Sequence, residues 1–332
     1  MSITNNDERA RSMLKIGVDA RVNARYMSDI RIHTTNGPFK PMLAKVYELG
    51  VTRLRWPVIV QPKYDGVRAL WDGECVRSRS GKDSLVVPRD ILDVLEREFK
   101  GISLDGELYA HGVGFEAIVS AARNRKNMQD SGTYDVPGTV EVPPARLQYV
   151  VFDMPTSEGF EDRVRHLEGM FTTATLSPLT RIQKYDRVVL SSWMQVRTHQ
   201  EFLMHMQMWT ADGYEGIMIR ALGAGYEERR TAQLLKWKRT RTARAVVIGI
   251  EPGKGKHFGR MGALWVRGLR GLAGRAPWVC KVGTGFTDAE RERRAAWWTG
   301  EIVTVMYQEL SAYGVPRFPR FAGLASKGEE LP

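Results

Sequence analysis

Cysteine is almost absent: Cys75 and Cys280 are the only two in 332 residues, and they are far apart. Neither they nor any histidine pair has the spacing of a zinc site. They read as two reduced, buried thiols. Long apolar runs are also missing, and none approaches the ~20 residues that a membrane-spanning helix needs. Met1–Arg11 is polar and charged and lacks the apolar stretch of a secretion signal, so the chain reads as cytoplasmic, with no membrane partner. The six histidines show no carboxylate–His–nucleophile pattern, and no catalysis is assigned to them. Internal repeats and low-complexity tracts are lacking. Acidic residues are in the minority, 38 against 49 Lys and Arg, which leaves a net charge of +11. A surplus of that size favours a polyanionic partner.

What is present is globular. Hydrophobic residues make up 43% and charged residues 26%, and the length allows two domains of ~150 residues. Residues 1–38 form a polar leader, with weak helical character between Glu8 and Tyr26. A first domain, 39–241, opens at Phe39. Strand-like runs at 58–60, 67–71, 102–104, 108–110, 147–152, 216–220 and 233–238 alternate with turn signals. Helical periods fall at 88–99, 115–123, 163–171 and 200–209. The stretch 123–144 has no period and reads as a long loop.

A basic, threonine-containing segment, Arg239–Thr242, marks a boundary and a flexible joint. The second domain, 242–332, carries strand-like runs at 245–250, 263–266, 278–282 and 302–307, with one helix at 288–298. Five or so short strands with one helix suit a small OB-type barrel. From Ala243 onward, 14 Lys and Arg stand against 8 Asp and Glu, the denser positive charge of the two domains.

The most informative stretch is Lys63-Tyr64-Asp65-Gly66-Val67-Arg68. It reads as a nucleophilic lysine in a sharp turn, with a cation five residues on. An ammonium has no lone pair, so such a lysine needs burial or neighbouring cations to pull its pKa down. Asp105-Gly106-Glu107 repeats the strand–Gly–acid arrangement. Phe152 ends a β-run and offers a ring to a base. Tyr214-Glu215-Gly216 places another acid before a strand. Lys236 and Lys238 share one face of a strand, because residues i and i+2 point the same way. Two ammonium groups there suit a phosphate. Transfer of a nucleotide to lysine needs these parts: a neutral amine, cations for phosphate charge, and hard oxygen ligands for a divalent metal.

In order, Lys-x-Asp-Gly-x-Arg, Asp-Gly-Glu, Phe-Asp, Glu-Gly-Ile-Met-Ile-Arg and Leu-Leu-Lys-Trp-Lys resemble the covalent nucleotidyltransferases. Within that group they are most similar to the ATP-dependent DNA ligases of the short bacteriophage type. The resemblance runs from Phe39 to Phe321. It implies an α+β fold: a nucleotidyltransferase (adenylation) domain of antiparallel sheets with helices, followed by an OB-fold barrel. It implies ATP and Mg²⁺ as cofactors, nicked duplex DNA as partner, and a monomer.

The same resemblance assigns roles. Lys63 becomes AMP-linked. Gln61 contacts the adenine edge, where relatives often carry an acid. Arg68 binds ribose and phosphates, and Arg79, with Arg77 as its rival in register, binds the 5′-phosphate of the nick. Glu107 and Glu215 serve the ribose and metal, and Phe152 stacks on adenine. Lys236 and Lys238 bind the α-phosphate. Arg317 and Arg320, in Tyr313–Phe321, orient pyrophosphate, while the continuation from Ala322 to Lys327 departs from the family pattern. Arg123, Arg125, Lys126, Lys254 and Lys256 read as DNA-backbone contacts. An RNA ligase or an mRNA capping guanylyltransferase would use the same lysine chemistry and remain alternatives at this point.

Overall fold

The computed structural model describes residues 39–82, 84–123, 147–173, 182–311 and 313–325. The leader, Arg125, Lys126 and Lys327 lie outside them. The chain divides into two compact units, the first ending at Trp237 and the second beginning at Lys238.

Two five-stranded sheets build the first unit. One has the order β1 (Leu43–Val46), β12 (Arg230–Lys238), β11 (Gly216–Ala221), β2 (Val58–Lys63), β10 (Met194–Val196). The other runs β4 (Val76–Ser78), β3 (Val67–Trp71), β5 (Leu104–Tyr109), β6 (Gln148–Asp153), β9 (Val188–Leu190). A small ribbon pairs β7 (Thr172–Thr173) with β8 (Ile182–Gln183). The sheets are mixed, not purely antiparallel: β1 pairs β12, and β6 pairs β9, in parallel.

Helices α1 (Arg89–Glu98), α2 (Phe115–Arg123) and α3 (Phe160–Phe171) contribute to one core, and α4 (His199–Ala211) packs on the other sheet. Pro88 caps α1, where a missing N–H costs nothing, and Ile91 and Leu95 bury one face at i,i+4 spacing.

Strand alternation explains how one sheet serves both a core and a site. On β2, Val58 and Val60 pack with α4 residues Phe202, Met206 and Trp209. The intervening Ile59, Gln61 and Lys63 take the opposite face. On β11, Ile217 and Ile219 join the same helix-facing core, leaving Met218 and Arg220 on the other side.

Asp105-Gly106-Glu107 is not a turn. It lies inside the continuous strand β5, because the chain there pairs with β3 and β6 at once. Gly106 is required by that double pairing, since a Cβ on it would sit 2.6 Å from the Val150 carbonyl oxygen and 2.7 Å from the Tyr149 ring.

The second unit is a five-stranded antiparallel sheet in the order β15 (Val279–Val282), β14 (Met261–Gly268), β13 (Arg241–Pro252), β16 (Ile302–Tyr307), β19 (Arg320–Leu324). Its core includes Val247, Leu264, Val266, Trp298, Val305 and Phe321. Among the described residues the ladders do not close into a barrel. A single bridge, Thr284 to Arg320, ties the end of β15 to β19. A short ribbon, β17 (Glu309–Leu310) with β18 (Pro316–Arg317), completes the unit.

The expected helix at 288–298 is two short ones, α5 (Asp288–Arg291) and α6 (Ala295–Trp298). Arg294 is extended between them, and the buried Arg291 donates to the carbonyls of Met261, Gly262 and Gly283. Cys280 is buried, but Cys75 is only half-buried, unlike the buried pair expected. No helix among the described residues is long and apolar enough to cross a membrane.

Candidate active site

A cleft of about 170 Å³ opens in the first unit, lined from both sheets. The strand register places its parts. Lys63, the last residue of β2, lies opposite Gly216 of β11, and Glu215 N–H donates to the Lys63 carbonyl at 3.0 Å. Arg68 on β3 lies directly opposite Glu107 on β5. The segment Tyr64–Gly66 carries the chain from one sheet to the other. Gly66 has an ordinary φ but no room for a side chain: a Cβ would sit 2.2 Å from the Leu108 carbonyl oxygen and 2.9 Å from Glu107 Cγ.

Among the described residues, six cations, Lys63, Arg68, Arg79, Arg220, Arg230 and Lys236, line the cleft, against one carboxylate, Glu107. Gln61, Phe152, Met218 and Leu234 supply its less polar part. Such a lining accepts a group with one flat apolar end and one strongly anionic end.

Lys63 Nζ donates to Glu215 Oε2 and to the Tyr64 carbonyl at 3.3 Å. Its pKa is not depressed, as the sequence suggested. Burial does push it down, but the Glu215 and Glu107 carboxylates outweigh burial and hold it above the ordinary lysine value. Glu107 is pushed up to about 7, by burial first; Lys63 and Arg68 oppose that rise, and Glu215 adds to it. The donor set of Glu107 and Glu215 is hard oxygen, and burial raises Glu107 despite Lys63 and Arg68, so a further cation beside it would favour its charged form. Both features fit a divalent cation such as Mg²⁺.

Arg68 is fixed by a carboxylate that the sequence reading passed over. Its Nε donates to Asp105 Oδ1 at 2.5 Å and a terminal nitrogen bonds Asp105 Oδ2, while Tyr226 O–H donates to the same Oδ2 at 2.6 Å. The Arg68 guanidinium lies 4.7 Å from the centroid of the buried Phe152 ring. The ring proposed for base stacking is thus already engaged on a cation. Arg79 lines the cleft, whereas its rival Arg77 is paired with Asp72.

Lys236 lines the cleft, but Lys238 belongs to the second unit, where its Nζ donates to Gln308 Oε1 at 3.1 Å. Arg317, also in that unit, pairs with Glu309 at 3.1 Å, and Arg320 is exposed at the start of β19. Lys254 and Lys256 are exposed in the β13–β14 connection. Phe258, 86% exposed, stands beside them. Arg123 ends α2.

Sequence reasoning missed Arg220, Arg230, Asp105 and Asp153. Arg220 stood at the end of the Glu-Gly-Ile-Met-Ile-Arg motif, and the period of β11 would have placed it with Met218. Asp105 shares a strand face with Glu107, two residues on.

A lysine that lines such a cleft among cations and contacts a carboxylate defines a nucleotidyl-transfer type of site. The family comparisons agree. The ATP dependent DNA ligase domain matches residues 41–238, and the DNA ligase OB-like domain matches residues 252–324. The DNA ligase of Haemophilus influenzae is 28% identical over 79% of this chain and 85% of its own length. That of Archaeoglobus fulgidus is 27% identical over 89% of this chain and 56% of its own. The chain thus spans most of the first relative but about half of several others.

A solved structure from a study of Lig E DNA ligases superposes with a TM-score of 0.67 at 25% identity, covering 86% of this chain and 99% of that one. A second, Pmar-Lig_Pre, gives 0.69 at 22% identity and supports the fold. The chain belongs to the ATP-dependent DNA ligases.

Proposed function

We propose that this ligase seals 5′-phosphate/3′-hydroxyl nicks in duplex DNA through a lysyl-AMP intermediate, as a monomer in the cytoplasm. The observation that supports this best is that Lys63, which lines a cleft carrying six cations, contacts Glu215. Lys63 Nζ attacks the α-phosphate of ATP; an N–P bond forms and the bond to pyrophosphate breaks. The AMP then passes to the 5′-phosphate of the nick, and the 3′-hydroxyl displaces it.

Gln61, Phe152 and Met218 take the purine end. Arg68, Arg79, Arg230 and Lys236 offset phosphate charge, and Arg79 is the contact for the nick's 5′-phosphate. Mg²⁺ would be held by Glu107 and Glu215, and it supplies neutralisation of phosphate charge. In the ligand-free protein those two carboxylates keep Lys63 protonated. The amine becomes nucleophilic when other positive charge engages them and it releases a proton to water.

In the second unit, Lys238, Arg317 and Arg320 are assigned to the phosphates and leaving group, and Lys254 and Lys256 to the DNA backbone. Arg123 is assigned to the backbone from the first unit.

Incubation with labelled ATP or GTP and Mg²⁺ tests the reading. An acid-stable, lysine-linked label from ATP, lost in Lys63→Ala, is expected, with AMP released on nicked DNA. Label from GTP alone, or sealing confined to RNA, would overturn it in favour of a capping or RNA-ligase activity.

A further inference from the structure

Around Asp153 lies a set of buried charges that the proposed chemistry does not use. Asp153, the last residue of β6, is fully buried. Its carboxylate accepts from Arg163 Nε at 2.8 Å and Arg163 Nη2 at 3.1 Å, and from Arg220 Nη1 at 2.6 Å. The Met154 N–H adds a fourth bond at 2.8 Å. Arg163 is itself fully buried and donates to the Ala224 carbonyl at 2.8 Å. The Arg220 guanidinium also lies 4.3 Å from the Phe160 ring centroid. Arg220 is therefore held on two sides by partners with no freedom to move.

Arg220 itself lines the cleft and makes one more bond there. Its Nε donates to Gln61 Oε1 at 2.9 Å. On the other side of the same amide, Gln61 Nε2 donates to the Phe152 carbonyl oxygen at 3.2 Å. A guanidinium has no acceptor and a carbonyl has no donor, so the two neighbours impose the same orientation. Rotating the amide by half a turn would aim N–H at N–H and oxygen at oxygen. Gln61 is 2% exposed, so water does not relieve that mismatch. One N–H and one lone pair of the amide remain uncommitted.

We propose that Arg220, anchored on Asp153, selects the purine of the nucleotide by locking the Gln61 amide in a single orientation. The inference deepens the nucleotidyl-transfer reading above and rests on it. Adenine offers an acceptor at N1 and a donor at N6; a 6-oxopurine offers a donor at N1 and an acceptor at O6. The signs are exchanged at the same two positions. An amide that cannot rotate matches one pattern and leaves the other unpaired, and sites built this way discriminate strongly. An amide free to rotate matches both. Arg220 is a positioning residue: with Nε and Nη1 committed to Gln61 and Asp153, it acts on the base through Gln61.

The test compares Lys63 labelling by ATP with labelling by inosine triphosphate, which differs from ATP only at N1 and the 6-position. The unsubstituted protein is expected to label at least about tenfold faster from ATP. Arg220→Lys keeps a positive charge beside Asp153 but loses the rigid fork that reaches both Asp153 and Gln61. Its ATP-to-ITP ratio is expected to fall roughly tenfold toward one, and Gln61→Met is expected to fall likewise. The readout is a ratio on one preparation, so loss of folded protein cancels, and a merely structural role for Arg220 would leave it unchanged. An unchanged ratio in Arg220→Lys overturns the proposal, whatever Gln61→Met does. Absence of label from either nucleotide in the unsubstituted protein would instead refute nucleotidyl transfer itself.

Discussion

Asp153 has no access to water, so its charge state is set by neighbours alone. Burial by itself would raise its pKa; Arg220 and Arg163 reverse that and hold it below the usual aspartate value of 3.8. The unfolded chain therefore binds this proton more readily than the folded one. The stabilisation is complete above about pH 4 and is lost as pH falls through the depressed native pKa. Asp153→Asn should flatten the acid limb of a stability-versus-pH curve followed by urea unfolding. It should also cost about 3 kcal/mol at neutral pH, because two buried guanidiniums lose their counter-charge. Cys280, pushed up to about 11 by burial, should resist iodoacetamide at pH 8 until the protein is denatured, as mass spectrometry would read. The residues Lys63, Glu107 and Glu215 were legible because each stands in a short motif. Arg220 was not, because its partner Gln61 lies 159 residues away and only the β2–β11 register brings them together. The protonation of Lys63 was misjudged for the same reason: the sequence shows the cations but not how close two carboxylates come.

Strands and helices carry a second layer of dependence. Thr198 caps α4 by accepting from the Glu201 N–H, and Glu201 Oε2 accepts in return from the Arg197 N–H at 2.7 Å. Thr198→Ala should cost about 1 kcal/mol in chemical denaturation. Its effect on Lys63 labelling should be no larger than the loss of folded protein. Gly106→Ala forces a methyl group against β6 and should destabilise by ~1–3 kcal/mol or more, with a visible fall in melting temperature. Helices α1 and α2 were legible because their apolar spacing is strong and Pro88 punctuates the first. β9 and β10, three residues each, are too short to show a period. The continuity of β5 through Gly106 was obscured because glycine usually marks a break, whereas here it permits a close approach between strands.

For the molecule as a whole, the +11 charge is the quantity with the widest reach. Binding to nicked duplex should weaken steeply with salt, and Lys254→Ala and Lys256→Ala should each lower the slope of log affinity against log salt by about 1, measured by titration at several ionic strengths. Neither should change labelling of Lys63, which needs no DNA. The change in texture near Arg239 suggested two domains, and the chain divides into two units between Trp237 and Lys238. The open ladder of the second sheet was not readable, because strand patterns do not report whether edges meet. The passage Tyr64–Gly66 has a consequence for heat. Lys63 ends a strand of one sheet, Glu107, whose charge acts on it, belongs to the other, and Gly66 leaves no slack between them. Slackening either sheet displaces Lys63 from Glu107. On a temperature ramp, capacity to accept AMP and native circular dichroism should fade together, with no inactive but folded plateau between them.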